Sequence, residues 1–248
     1  MRHVEECVLP AIDHRRVIAI DGPAAAGKST VARMLADRLG ALLFDTGALY
    51  RAVALAALRS GAAPDDKRTL ARIAREAQII IRPPSLLDGR LYDVWLDGED
   101  VTWPVRDPEV GAIVSRVAEH RAVRAALLPL QRKIAFGGPV VMVGRDIGTV
   151  VVPDAGLKIY LYATPEERAR RRYREAAMRG GTESLAEVQR ETRHRDAVDS
   201  ERDTAPLRAA TDAVRIDTDD MPIDSVVAEI EKLARAHRNS KGKPLWPL

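Results

Sequence analysis

The chain has 248 residues, 46% of them apolar and 30% charged. That balance supports one domain with insertions, or two small ones, and excludes a disordered or fibrous chain. Aromatics are 4% and the net charge is +3, which argues against a base-stacking surface or a coat for nucleic acid. The single cysteine, Cys7, excludes an intrachain disulfide framework. No apolar run approaches the ~18–20 residues of a membrane span, and the N-terminal residues carry no signal-like apolar region. The expectation is a cytoplasmic monomer with no membrane or nucleic-acid partner. Seven of the 39 basic residues are lysine and 32 are arginine, the residue that grips phosphate and carboxylate bidentately.

Residues 1–16 read as a loose lead-in. Val17–Ile20 is a β-branched run stopped by Asp21-Gly22-Pro23, the pattern of a buried strand. Beyond Lys28, Val31, Ala32, Leu35 and Leu39 recur at helical spacing, and Gly40 closes the helix. Ala41–Phe44 predicts a second strand, followed by helices over 47–60 and 66–77. The texture then changes. Residues 78–82 are strand-like, and the runs 91–96 and 99–102 flank an Asp97-Gly98 turn, so 78–102 reads as a small antiparallel β insert. Asp107-Pro108 opens a helix that runs, with a break near His120, to about Phe136. Val140–Val143, Leu157–Leu161 and Ala213–Ile216 supply three more strands. Thr164-Pro-Glu-Glu167 and Ser184-Leu-Ala-Glu187 are capping boxes that open two arginine-rich helices. Ile223, Val226, Val227, Ile230 and Leu233 mark a final amphipathic helix, and 239–248 read as a flexible tail.

Five short apolar strands alternating with helices imply an α/β fold, a five-stranded parallel sheet covered by helices on both faces. Ligands gather at the carboxyl ends of such strands, where Asp21-Gly22, Asp45-Thr46, Arg145-Asp146 and Asp217-Thr218 fall. Gly22-Pro23-Ala24-Ala25-Ala26-Gly27-Lys28-Ser29 fits G-x-x-x-x-G-K-[ST] between a strand and a helix, the context of a phosphate loop (P-loop). Its glycines let successive N–H groups point inward, and the helix N-terminus adds positive potential. Lys28 is expected on the β/γ-phosphates of a bound nucleotide and the Ser29 hydroxyl on Mg²⁺. Asp21 either caps the loop turn or holds a Mg²⁺-bound water. The Asn-Lys-x-Asp motif of guanine-reading switches is absent.

Arginines follow the strands on the other side: Arg51 about one turn beyond Thr46, Arg145 after the third strand, and Arg195 and Arg202 in Arg195-Asp196-Ala-Val-Asp199-Ser-Glu-Arg202. Arginines converging from three segments suit an anionic acceptor and a transferring phosphoryl group. Together with Asp45-Thr-Gly-Ala-Leu-Tyr-Arg51, Val114-Ser-Arg-Val-Ala118, Val123-Arg124, Gly144-Arg-Asp-Ile-Gly-Thr149 and Ala205-Pro-Leu207, these pieces make the chain resemble the bacterial cytidylate kinases, of the nucleoside monophosphate kinase superfamily, in order across about 16–235. The insert at 78–102 is also similar to that family's nucleotide-binding insert.

The resemblance implies a P-loop kinase core over 17–77 and 103–238, with 165–202 as a helical lid. It implies ATP phosphates on Gly22–Thr30, Thr30 included. It implies CMP or dCMP with its cytosine on Thr46, Arg124 and Asp146, its sugar on Ser115, Arg195 and Asp199, and its phosphate on Arg51, Arg145 and Arg202. The expected reaction is Mg²⁺-assisted transfer of the ATP γ-phosphoryl group, catalysed by Lys28, Arg51, Arg145 and Arg202. Thr46 stands where serine is common, and Ala25 where many members have glycine, tolerable only if its backbone is unstrained. Arg168, Arg170, Arg171, Arg172 and Arg174 read as a solvated face, with one or two reaching ATP if the lid closes. Trp95 and Trp103 are expected to pack the insert. The histidines show no metal-ligand spacing. The rivals are a UMP, AMP or shikimate kinase on the same scaffold, a non-catalytic nucleotide-binding module, and an RNA-binding protein using the 168–195 helices.

Overall fold

The expected strands and helices form within about two residues of their predicted bounds. The computed structural model describes residues 16–178, 180–201, 204–237 and 246. In chain order the elements are β1 (Val17–Asp21), α1 (Lys28–Leu39), β2 (Leu42–Asp45), α2 (Gly47–Arg59), α3 (Lys67–Glu76), β3 (Ile79–Arg82), β4 (Asp93–Leu96) and β5 (Glu99–Asp100). There follow α4 (Pro108–Glu119), α5 (Arg121–Ala135), β6 (Val140–Val143), β7 (Leu157–Tyr162), α6 (Pro165–Met178), α7 (Leu185–Ser200), β8 (Val214–Asp217) and α8 (Ile223–Ala236).

The main sheet runs β2-β6-β1-β7-β8, all parallel. Ile18 of β1 lies between Val141 and Leu157. Side chains alternate between the two faces of a strand, and every residue of β1 and β6 is buried. Both faces are therefore covered, which explains why these strands read as continuous apolar runs. The chain order jumps on either side of β1, so the loop after it opens into a crevice between neighbouring strand ends. The core stripe of α1, Val31, Ala32 and Leu35, is fully buried, and α1 packs on α8.

The helix break falls at His120, whose extended backbone ends α4 and starts α5. Its Nε2 lies 2.8 Å from the Pro64 carbonyl oxygen. The second sheet, β3-β4-β5, is antiparallel. Asp97 (φ 51°) and Gly98 (φ 87°) make its hairpin turn, with the positive φ pair that matches strand twist. Ile79, Ile81, Val94 and Leu96 turn into the main core, while Ile80 stays exposed. Arg90 is buried in the preceding loop and pairs with Asp88, Asp93 and Asp100. Trp95 is half-buried against the Arg82 guanidinium. Trp103 does not pack inward: it is 45% exposed and donates from Nε1 to Asp88.

Of the two capping boxes, Ser184–Glu187 is complete. At Thr164 only one arm forms, Glu167 N donating to Thr164 Oγ1. The Thr164 N–H is taken by Asp219, and Glu167 pairs with Arg171 and Arg170 instead. Trp246, in the stretch expected to be a flexible tail, is buried among core residues. The other residues of that stretch lie outside the described residues, as do nearly all of the lead-in, Cys7 included. Among the described residues no helix is long and apolar enough to cross a membrane.

Candidate active site

β1 ends at Asp21 and the chain turns sharply at Gly22 (φ 146°). A Cβ there would sit 2.0 Å from the Leu161 carbonyl oxygen on β7, so only glycine fits. Ala25 (φ 60°) and Gly27 (φ 82°) both take positive φ, curling the loop so that its N–H groups face one side, an anion-binding nest. Ala25 is therefore strained, where tolerance of alanine required an unstrained angle. Gly27 opens α1, its carbonyl accepting from Val31 N. Lys28 is buried and folds back to donate from Nζ to the Pro23 carbonyl at 2.5 Å. Burial, then the Arg145 charge, holds the Lys28 ammonium well below its ordinary pKa. Ser29 is exposed, with Oγ 3.3 Å from Asp45 Oδ2. Asp45, at the end of β2, also accepts from Gly47 N at 2.9 Å.

Asp21 does not cap its own loop. Its two carboxylate oxygens accept from Ile147 N and Gly148 N, each at 2.8 Å. It thereby pins the segment after β6, where Ile147–Val151 forms a wide turn. That turn has i→i+5 bonds from Val151 to Asp146 and from Val152 to Ile147, a geometry frequent at functional sites. Burial pushes the Asp21 carboxyl up to about 6, against the two N–H bonds and reinforced by the Asp146 charge.

Arg145 and Asp146 sit at the start of this pinned segment. Arg124 on α5 donates from Nη2 to Asp146 Oδ2 at 2.5 Å, both side chains buried. The Arg124 guanidinium lies 5.4 Å from the centre of the Tyr50 ring. Thr46 spends its hydroxyl proton on the Val143 carbonyl at 2.9 Å, which leaves Oγ1 able only to accept. Arg145 donates to Asp199 at 2.9 Å and to the Gly22 carbonyl at 3.2 Å, linking the nucleotide loop to α7. The i,i+4 spacing of Arg195 and Asp199 placed the two on one helix face, yet Asp199 pairs with Arg145. Arg195 Nε is buried without a hydrogen-bond partner. Burial, then Arg145 and Arg172, pushes the Arg195 pKa down to about 10. Arg51 is half-buried and donates to the Val105 carbonyl at 3.2 Å.

These groups share one cleft of about 850 Å³. Ala24–Thr30 form one wall, and Thr46, Arg51, Ser115, Arg124, Arg145, Asp146, Arg195 and Asp199 the other. Gly22 and Pro23 are buried behind the loop. Arg202 lies outside the described residues. The sequence did not single out Arg106, which also lines the cleft; Tyr50, inside the Asp45–Arg51 motif but given no role, and Thr218, at the strand end marked by Asp217-Thr218, line it too. Nor is the α6 arginine run a uniform solvated face. Arg171 and Arg172 line the cleft, and Arg168 is buried, whereas Arg170 stays exposed. The signal for this was the helical spacing, since Arg168, Arg171 and Arg172 lie three and four apart. Among the described residues no three His, Cys, Asp or Glu side chains cluster as a metal site. The oxygens of Ser29 and Asp45 are the groups at the loop that suit a hard cation sharing its shell with phosphates and water.

The model of the family described as cytidylate kinase matches residues 18–236. A cytidylate kinase of Pelotomaculum thermopropionicum is 51% identical over 221 residues, 89% of this chain and 96% of that protein. One of Geobacillus thermodenitrificans is 47% identical over 222 residues, 90% of this chain and 97% of that protein. Among solved structures, a shikimate kinase from Bacteroides thetaiotaomicron covers 88% of this chain and 97% of its own at 14% identity and a TM-score of 0.43. With the family model matching residues 18–236 and a relative 51% identical over 89% of the chain, the chain belongs to the cytidylate kinase family.

Proposed function

We propose that this kinase moves the γ-phosphoryl group of ATP to CMP or dCMP, giving ADP and CDP or dCDP. The observation that carries the choice of base is the hydrogen-bonding state of Thr46, Arg124 and Asp146. Thr46 Oγ1 and the Asp146 carboxylate can only accept, and Arg124 can only donate. Cytosine presents an N4 amine beside acceptors, which meets that set. Uracil would turn a carbonyl toward two acceptors and leave a buried carboxylate mispaired, a fault that discriminates far more strongly than a lost methylene.

On this reading the loop N–H groups and Lys28 hold the ATP phosphates. Arg51, Arg145 and Arg202 hold the acceptor phosphate and neutralise charge in the transition state, while Ser115, Arg195 and Asp199 take the sugar. Ser29 and Asp45 would hold Mg²⁺, which, bound with ATP, neutralises and orients the β- and γ-phosphates. The acceptor oxygen belongs to a phosphate already ionised at neutral pH, so no general base is required, and among the described residues no histidine lines the cleft. Catalysis is then positioning and electrostatics. Residues 165–202 act as the lid that excludes water, and 78–102 as the acceptor-side insert.

The test is an ADP-release assay with ATP and Mg²⁺, offering CMP, dCMP, UMP, AMP, GMP and shikimate separately. CMP and dCMP should turn over well above UMP. Turnover with another acceptor would discard the base contacts. Tight ATP binding with no turnover at all would point to a non-catalytic module.

A further inference from the structure

We propose that Arg168 is a positioning residue that joins the nucleotide loop to α7. The inference rests on the reading above of Arg195 and Asp199 as acceptor-side residues. Arg168 is the arginine of the α6 run that turns inward, its side chain 3% exposed against 57% for Arg170. Its guanidinium makes four bonds to three parts of the fold. Nε donates to the Ala163 carbonyl at 3.0 Å, just past β7. Nη1 donates to the Ala24 carbonyl at 3.2 Å and to Asp196 Oδ1 at 2.9 Å. Nη2 donates to Asp196 Oδ2 at 2.5 Å.

Each end of this fork bears on a working group. Ala24 lines the cleft and precedes Ala25, whose positive φ shapes the loop. A trans peptide is planar, with C=O and N–H on opposite sides, and no peptide bond among the described residues is cis. Holding the Ala24 carbonyl on Arg168 therefore turns the Ala25 N–H away from Arg168, which is outside the cleft lining. At the other end, the bidentate pair with Asp196 fixes the rotation of α7 at the residue next to Arg195 and three before Asp199. A planar fork can satisfy these acceptors together, whereas an ammonium, a compact point charge on a flexible stem, cannot.

The test is calorimetric titration of Arg168→Lys and Asp196→Asn with ADP, beside steady-state kinetics with CMP and thermal midpoints. Asp196 does not line the cleft and its carboxylate is bonded to Arg168, so a loss of ADP affinity there reports positioning. Each variant should weaken ADP binding roughly tenfold and raise the KM for CMP, the scale of one lost charge-assisted bond. Glu166→Gln is the control. It opens the Arg193–Glu166 pair between the same two helices, 65% and 48% exposed, and should change both constants by less than about twofold. Wild-type ADP affinity in Arg168→Lys and Asp196→Asn, with only a lowered thermal midpoint, overturns the proposal. So does an equal loss in Glu166→Gln. If Arg168→Lys fails to fold, the isosteric Asp196→Asn carries the test. ADP binding needs no acceptor, so wild-type protein that binds ADP but ignores CMP refutes the acceptor reading and leaves this test standing.

Discussion

At Asp146 a single atom separates an acceptor from a donor. Replacing the carboxylate with an amide lets position 146 donate toward a carbonyl, as uracil requires. Asp146→Asn should therefore lower kcat/KM for CMP by roughly 100-fold, the scale of leaving a buried polar group mispaired. UMP should lose far less, so the CMP-to-UMP ratio, measured with both acceptors, falls. An unchanged ratio would remove Asp146 from base reading. Lys28 gives a second test, on pH. In the free protein its ammonium titrates well below the ordinary value because it is buried and faces Arg145. Bound phosphates favour the charged form, so the pKa rises on binding. ATP binding should take up protons between the free-protein and bound pKa values, and ATP affinity should fall as pH rises through that window. Calorimetry in buffers of different ionisation enthalpy reads the uptake, and proton release would contradict it. Lys28 and Asp146 were legible in the sequence because their motifs are local. Arg168 was not, because its partners Ala24 and Asp196 lie 144 and 28 residues away, and only packing brings them together.

At the scale of elements, the nucleotide loop holds two alanine-or-glycine positions with opposite demands. Gly22→Ala drives a Cβ into the Leu161 carbonyl and should abolish ATP-dependent turnover. Ala25→Gly should stabilise the protein by about 0.5 kcal/mol in denaturant unfolding. Relief of a left-handed alanine is worth ~1–2 kcal/mol, and glycine returns ~0.4–1 through the unfolded chain. The helices α6 and α7 make a second prediction. If they form the lid, amide hydrogen exchange across 165–178 and 185–200 should slow when ATP analogue and CMP bind together. No change on double occupancy would end the lid reading. The core strands were legible because a strand buried on both faces has little choice but aliphatic residues. The Thr164 box was half legible: the spacing was right, but Asp219, from beyond β8, took the N–H that Glu167 was expected to satisfy. The turn over Ile147–Val151 had no sequence signal, since the carboxylate that holds the N–H groups of Ile147 and Gly148 is supplied by β1, 126 and 127 residues away.

For the molecule as a whole, charge is concentrated rather than spread. Eight cationic side chains and four carboxylates line the cleft, a local excess of four positive charges in a chain whose total is +3. The rest of the surface is close to neutral, so the field points into the site. The kcat/KM for CMP should fall several-fold between low salt and about 0.3 M, with kcat little changed, because screening acts on approach. A salt-independent kcat/KM would mean that encounter is not steered.

The hold of Asp21 on Ile147 and Gly148 has a consequence for engineering. Both bonds run to main-chain N–H groups, so this hold on the segment after β6 does not depend on Thr46, Arg124 and Asp146, the side chains proposed to meet the base. It behaves as a cassette with a fixed mount. A library confined to Thr46, Arg124 and Asp146 should retarget the acceptor base while the mount, and the nucleotide loop beside it, stay as they are. A library that includes Asp21 should yield mostly inactive clones.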